Sequence, residues 1–132
     1  MHEYSIARSL VEVVCEEARR AGAVRVNYVE ARVGVMTMVD AWLLQEAWVI
    51  ACEGTTCEGS ALVVEKCPVW MTCRGCGHRE SEDVWPGHCP VCGGADGRVS
   101  GGDELDLTRM DVDINGGSAT DDLLSVAAAT RT

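Results

Sequence analysis

The sequence predicts an α+β fold, in which two α-helices lie on one face of a small mixed β-sheet and a cysteine-rich segment is inserted into the chain. Three observations predict it. Two stretches carry apolar residues at steps of three and four, three others have strand-like patterns, and the chain between the last two of these strands is rich in Gly, Pro and Cys. A content of 47% hydrophobic and 24% charged residues in 132 is typical of a globular chain.

The first predicted helix covers residues 3–21. Its apolar residues recur every three or four positions, which places them on one face of a helix, and its charged residues fall on the opposite side. Gly22 follows at a position suited to end the helix. The predicted buried positions are Ala7, Leu10, Val11, Val14, Ala18 and Ala21.

A strand and a second helix are predicted next. Residues 24–35 alternate between apolar and polar side chains, which is the period of a half-buried strand. Asp40 has the short carboxylate that caps a helix, and it precedes the helical pattern of residues 41–53. The apolar residues that share one face of this helix are Leu44, Ala47, Trp48 and Ala51.

Two further strands complete the predicted sheet. Residues 61–65 are short and rich in valine, as buried strands often are. Residues 102–114 restore alternation after the cysteine-rich segment, with Leu105, Leu107 and Val112 as apolar positions. We expect this last strand to join the same sheet as the two strands that precede the cysteine-rich segment.

Four cysteines in the inserted segment have the spacing of a zinc site. Cys73 and Cys76 form one C-x2-C pair, twelve residues follow, and Cys89 and Cys92 form the second pair. Two such turns facing each other supply four thiolates to one tetrahedral Zn²⁺, which leaves no position for water or substrate. The pattern therefore predicts a structural zinc in a zinc-ribbon-like unit, where metal binding also contributes folding energy.

The charges and the other polar residues limit the alternatives. A net charge of −10 disfavours contact with phosphate backbones, and acidic residues equal basic residues in number within 66–100, so no nucleic-acid partner is expected. We expect neither a membrane span nor a secretory signal, and therefore a cytoplasmic protein whose thiols stay reduced. No catalytic constellation or open metal site appears, so we expect no enzyme.

The remaining cysteines and histidines have less specific readings. Cys15, Cys52, Cys57 and Cys67 fit small buried apolar residues, although Cys52 and Cys57 could form a redox pair at the end of the second helix. His78 and His88 flank the cysteine pairs and fit loop residues or hydrogen-bond partners of the ligands. A sharper hypothesis is that His78 replaces a cysteine ligand when the pH or a second metal changes the loop.

The opening Met-His-Glu suggests a second metal. A free amine, neighbouring backbone amides and the imidazole of His2 can form fused chelate rings around one ion. Square-planar nitrogen coordination is typical of Ni(II) or Cu(II). The first amides of a helix have no carbonyl acceptor within the helix, so a metal can use them.

These motifs occur in the order found in a known family. "MHEYSIARSLVE", "VDAWLLQEAW", "EGTTCEGSALVVE", "CPVWMTCRGCG", "CPVCGG" and "GDELDLTRMDV" together resemble the HypA/HybF family of hydrogenase nickel metallochaperones, from Met1 to about Val112. The resemblance implies that His2 is the essential nickel ligand, with backbone nitrogens of Met1, His2 and Glu3 nearby. It also implies that the four cysteines of the two pairs hold structural zinc.

The resemblance further implies partners and an organisation. The partners are a nickel-loading GTPase, the hydrogenase large subunit as recipient, and in some members urease accessory proteins; a homodimer is a further expectation. The predicted organisation is a nickel-binding α/β domain of residues 1–66 with 101–114, a zinc-binding domain of 67–100, and a flexible C-terminal tail of 115–132 in which a short helix could form at 121–129. The alternative function is a zinc-ribbon protein-interaction adaptor without transferable metal.

Overall fold

The computed structural model describes residues 3–115 and, as backbone, 117–127, so Met1 and His2 lie outside the described residues. Two short 3₁₀ turns, Val35–Thr37 and Glu82–Val84, accompany the regular elements. The helices and strands are, in chain order, α1 (Glu3–Arg20), β1 (Ala23–Gly34), α2 (Ala41–Ala51), β2 (Ala61–Cys67), β3 (Val69–Cys73), β4 (Arg79–Ser81), β5 (Gly97–Gly101), β6 (Leu105–Ile114) and β7 (Gly117–Ala127).

The larger sheet is mixed and has the strand order β2-β1-β6-β7. β1 and β2 are parallel, because α2 carries the chain back between them, whereas β6 is antiparallel to both β1 and β7. The buried residues of α1, α2 and the sheet form one hydrophobic cluster. The predicted α+β architecture, with two helices on one face of a small mixed sheet, is confirmed.

The helix α1 buries the face that its sequence pattern predicts. Five of the six predicted positions are buried, and Ile6, which lies one turn before Leu10, is buried as well. Ala21 is exposed because the helix has already ended at Arg20. Gly22 follows with a φ of 72°, a left-handed conformation that glycine adopts at little cost.

The helix α2 begins at the predicted cap. The Asp40 side chain accepts a hydrogen bond from the backbone amide of Leu43 at 3.0 Å, which satisfies one of the first amides of the helix. Trp48 is fully buried, and its indole N–H donates to the buried hydroxyl of Ser60 at 2.9 Å. This bond positions the segment after α2 against the core.

The strand β6 contains a bulge, which accounts for the change of parity between Leu107 and Val112 in its apolar pattern. Arg109 pairs with Glu30 and Leu107 pairs with Ala31, so Thr108 lies opposite no residue in the pairing of β6 with β1. The extra residue reverses the side-chain parity of the strand. Apolar residues on both sides of the bulge therefore reach the same core: Leu105, Leu107, Met110 and Val112.

The cysteine-rich segment forms a second sheet, with the antiparallel order β4-β3-β5. Its strands were not predicted, because each has only three to five residues and alternation is hard to recognise over so short a length. One end of β3 pairs Cys73 with Gly97, and the other end pairs Val69 with Gly101. The sheet thereby connects the cysteine cluster to the junction with the larger sheet.

The two sheets meet at closely packed glycines. The amide of Gly34 donates to the carbonyl of Glu104, and the amide of Met36 donates to the carbonyl of Gly102, both at 2.7 Å. A Cβ atom on Gly34 would overlap the carbonyl of Gly102, so only glycine permits this approach.

Among the described residues, no helix is both long and apolar enough to span a membrane.

The chain after β6 differs from the expected tail. We expected 115–132 to be flexible and to include a short helix at 121–129, but residues 117–127 form β7 and pair with β6 from Asp106 to Ile114. β6 would otherwise present unpaired backbone groups at the sheet edge, and a neighbouring strand satisfies them. Residues 128–132 lie outside the described residues.

Candidate functional site: a four-cysteine metal centre

The structure brings the four cysteines of the two C-x2-C pairs together. Their sulfur atoms all lie within 4.8 Å of one another. The Sγ atoms of Cys73 and Cys92 are 3.5 Å apart, and those of Cys76 and Cys89 are 3.6 Å apart. Each of these short distances joins a sulfur of the first pair to a sulfur of the second, so the two turns face each other as the spacing predicts.

Both cysteine pairs are held by the same backbone arrangement. The amide of Gly77 donates to the carbonyl of Cys73 at 3.0 Å, and the amide of Gly93 donates to the carbonyl of Cys89 at 2.9 Å. Both glycines have a positive φ, which a residue with a side chain would adopt only with strain. The glycine after each pair therefore closes the turn that presents its two sulfurs.

Backbone amides point at the sulfurs and favour thiolates. The amides of Cys76 and Gly75 lower the pKa of Cys73 to about 6. The amide of His78 lowers the pKa of Cys76, but burial and proton sharing with the other three sulfurs raise it to about 12. Hydrogen bonds from backbone amides therefore favour the thiolate form of Cys73, and a cation that binds must displace the protons that the other sulfurs keep.

Two sulfur–sulfur distances of the cluster are close to those of a tetrahedral zinc site. A tetrahedron with Zn–S bonds of ~2.3 Å has S–S edges of ~3.8 Å, and the two short sulfur pairs are within about 0.3 Å of that value. Four thiolates also match the ligand set of structural zinc sites. The four sulfurs would close the coordination sphere, so the arrangement suits a structural ion and offers no position for a substrate.

Neither loop histidine belongs to this cluster. The metal-binding group found within the described part of the chain consists of the four cysteines. His78 is half-buried, and its Nε2 atom lies 3.7 Å from a carboxylate oxygen of Glu80 without a hydrogen-bond partner in the structure. His88 is exposed. The hypothesis that His78 replaces a cysteine stays a prediction.

The surface around the cluster is mixed in charge. Arg74 pairs with Asp96 at 3.4 Å, and the guanidinium of Arg79 stacks over the ring of Trp70 at 4.1 Å. These contacts engage two of the four basic residues of the 66–100 segment. A basic face able to follow a phosphate backbone does not result from this arrangement.

Of the three residues expected at the nickel site, the structure describes Glu3. Its carboxylate accepts a hydrogen bond from the backbone amide of Asp40 at 3.1 Å. The start of α1 is therefore joined to the residue that caps α2. No local pattern predicts this contact, because the two residues are 37 positions apart.

Comparisons with known proteins agree with these features. A family model described as "Hydrogenase/urease nickel incorporation, metallochaperone, hypA" matches residues 1–112. A hydrogenase maturation factor HypA from Roseiflexus sp. (strain RS-1) is 36% identical over 121 residues, which cover 91% of this chain and 98% of the relative. The HypA of Nitrosospira multiformis is 35% identical over 112 residues, which cover 85% of this chain and 97% of the relative.

Solved structures give the same result. The solution structure of the Ni metallochaperone HypA from Helicobacter pylori has a TM-score of 0.56 and 26% identity, and the match covers 85% of this chain and 97% of that one. A second HypA solution structure has a TM-score of 0.63 at 24% identity, which supports the fold alone. With its family match over residues 1–112 and its four-cysteine cluster, the chain belongs to the HypA family of hydrogenase/urease nickel-incorporation metallochaperones.

Proposed function

We propose that this chain binds one transferable Ni(II) at its N-terminus and delivers it to the large subunit of a [NiFe]-hydrogenase. The observation that carries the proposal is the family match, which includes the opening Met-His-Glu together with the four cysteines. Under this proposal His2 supplies the imidazole, and the backbone nitrogens of Met1, His2 and Glu3 are the other candidate ligands. Urease maturation is a second delivery route that the family description also names.

The contact between Glu3 and Asp40 supports a fixed position for the third residue of the proposed nickel site. The Glu3 carboxylate is occupied by the Asp40 amide, so we expect Glu3 to contribute its backbone nitrogen to nickel and to use its side chain as an anchor. Under this proposal Met1 and His2 complete the ligand set. A site of this kind allows a recipient to replace the ligands one at a time.

The chemistry of the ligands fits a carrier that releases its cargo. We expect micromolar affinity, equivalent to about −8 kcal/mol, because a far tighter complex would dissociate too slowly for transfer. Binding should weaken as the pH falls, since protons compete for the amine and the imidazole. The proposed Zn²⁺ at Cys73, Cys76, Cys89 and Cys92 is a resident structural ion and takes no part in transfer.

The outer face of α2 supports a docking surface for the nickel-loading GTPase. Trp42, Val49 and Ile50 are 65%, 57% and 56% exposed on this helix, which is unusual for large apolar side chains. Glu46 is exposed among them, so a partner with an apolar centre and basic neighbours would be complementary. Asp40, which caps this helix, contacts Glu3, so a protein bound to α2 would lie close to the third residue of the proposed nickel site. We propose that nickel binding and nickel delivery take place in the cytoplasm.

The test is nickel titration of the untagged protein after zinc loading. The variant His2→Ala should lose at least about tenfold in nickel affinity by calorimetry, because one of the chelating nitrogens is removed, and should keep one zinc per chain. His88→Ala is a matched control, since this exposed histidine has no role in the proposed site, and it should bind nickel like the unaltered chain.

The two outcomes have clear meanings. Equal nickel affinity in His2→Ala would contradict the proposed site. A chain that holds zinc but takes up no nickel at all would instead support the zinc-ribbon adaptor. Acetylation of the N-terminal amine gives a second test, because an amide nitrogen is a weaker donor than an amine, and it should lower nickel affinity without affecting zinc.

A further inference from the structure

Three cysteines outside the four-cysteine cluster lie close together in the part of the chain formed by α1, α2 and the larger sheet. The Sγ atoms of Cys15 on α1 and Cys57 in the segment after α2 are 3.6 Å apart, although the residues are separated by 42 positions. Cys57 also interacts with Cys52, whose sulfur lies 3.7 Å from the hydroxyl of Ser60. The sulfur of Cys57 therefore has a thiol neighbour on each side.

The segment that carries Cys57 is held in place by its own backbone. The amide of Cys57 donates to the hydroxyl of Thr55 at 3.0 Å, and its carbonyl accepts from the amide of Ser60 at 2.9 Å. The carbonyl of Thr56 accepts from Val26 on β1 at 3.2 Å. The sulfur of Cys57 is thus directed at α1 by an ordered turn, so its closeness to Cys15 is a property of the fold.

The three thiols differ in their access to solvent. Cys52 and Cys57 are fully buried, whereas Cys15 is half-buried and reachable from solvent. Hydrogen bonding with Cys52, together with burial, raises the pKa of Cys57 far above its usual range. Because Cys15 is the solvent-accessible member of the close pair, a dissolved oxidant reaches it first, and the sulfur of Cys57 is the thiol 3.6 Å away that can respond.

We propose that Cys15 and Cys57 form a reversible disulfide when the protein meets a hydroperoxide. The peroxide oxygen oxidises the Cys15 thiol to a sulfenic acid, and the peroxide leaves as water or an alcohol. The Cys57 sulfur then attacks the sulfur of Cys15, the S–O bond breaks, and the departing hydroxide takes the Cys57 proton to form water. The two thiols together lose two electrons, which the O–O bond of the peroxide receives.

The bond ties α1 to the segment after α2 without involving the four-cysteine centre. Cys15 and Cys57 belong to the larger sheet and its helices, while the metal cluster is built on the smaller sheet. Closing a covalent loop between positions 15 and 57 restricts the unfolded chain. We expect the oxidised protein to unfold at a temperature about 5–15 °C higher than the reduced protein.

The experiment treats zinc-loaded protein with one equivalent of hydrogen peroxide and follows the thiols by mass spectrometry. The expected product has lost two hydrogens, keeps its zinc, and returns to its original mass with a dithiol reductant. Cleavage after glutamate separates Cys52 from Cys57, because Glu53 lies between them, so the linked peptides identify the pair. They should contain Cys15 and Cys57.

Variants make the assignment decisive. Cys15→Ser and Cys57→Ser should abolish the link, and Cys57→Ala provides a second substitution in case a buried hydroxyl impairs folding. Cys52→Ser is the matched control and should still form the link. A disulfide between Cys52 and Cys57, or release of zinc before Cys15 reacts, would overturn the proposal.

Discussion

Removal of zinc should unfold the smaller sheet and leave the larger one folded. Between residues 67 and 101 the buried apolar residues other than cysteine reduce to Val69, which is 8% exposed. Burial of one valine contributes about 1.5–3 kcal/mol. Structural zinc in small modules contributes about 10–16 kcal/mol at pH 7, so the metal is the dominant stabilising term in this unit.

Hydrogen exchange measured by mass spectrometry is the assay. Cys73→Ser removes one ligand and should expose the amides of β3 and β5 to rapid exchange, while α1 and β1 keep their protection because their core does not include the metal centre. Cys67→Ser is the matched control, since Cys67 is a buried cysteine at the end of β2 that lies outside the cluster. It should keep its zinc and the protection of β3.

The result that would refute this reasoning is specific. If Cys73→Ser lost its zinc and the amides of β3 and β5 still exchanged as slowly as before, the smaller sheet would be stable without the metal. The four-cysteine centre would then have a purpose other than folding. Loss of protection throughout α1 and β1 would be equally contradictory, because it would mean that the two sheets unfold as one unit.

Three further predictions concern the larger sheet and its helices. Ser60→Ala should lower the free energy of unfolding in urea by about 1–3 kcal/mol, because it leaves the buried indole N–H of Trp48 without an acceptor, and Ser60→Thr, which keeps a hydroxyl, should lose less. Gly34→Ala should destabilise the junction by at least about 2 kcal/mol in the same assay, since its methyl group would overlap the carbonyl of Gly102. A hydrogen bond from the arginine three residues later lowers the pKa of Glu16 in the folded protein. The ionised Glu16 therefore stabilises the fold slightly above the ordinary pKa of 4.5, and this stabilisation is lost as the pH falls through the lower folded pKa. Glu16→Gln should therefore flatten the melting temperature against pH over that acidic range, and an unchanged slope would contradict the assignment.

The sequence alone determined the features that depend on local spacing. Apolar steps of three and four located α1 and α2, and the carboxylate of Asp40 marked the start of α2. The two C-x2-C pairs predicted which four cysteines come together in a cluster that could hold a metal ion, because a site of this kind is specified by residue type and separation. The positive φ of the glycine that follows each pair is likewise a local requirement of the turn.

The tertiary structure decided what depends on pairing between distant residues. The bulge at Thr108 exists only through its partner strand, and it is what turns Met110 toward the core. β7 forms because β6 offers it an edge, which no pattern within its own residues reveals. The approach of Cys57 to Cys15 likewise follows from packing across 42 positions. Periodicity reports the face that a segment buries, whereas the identity of the opposing residue is fixed only when the chain folds.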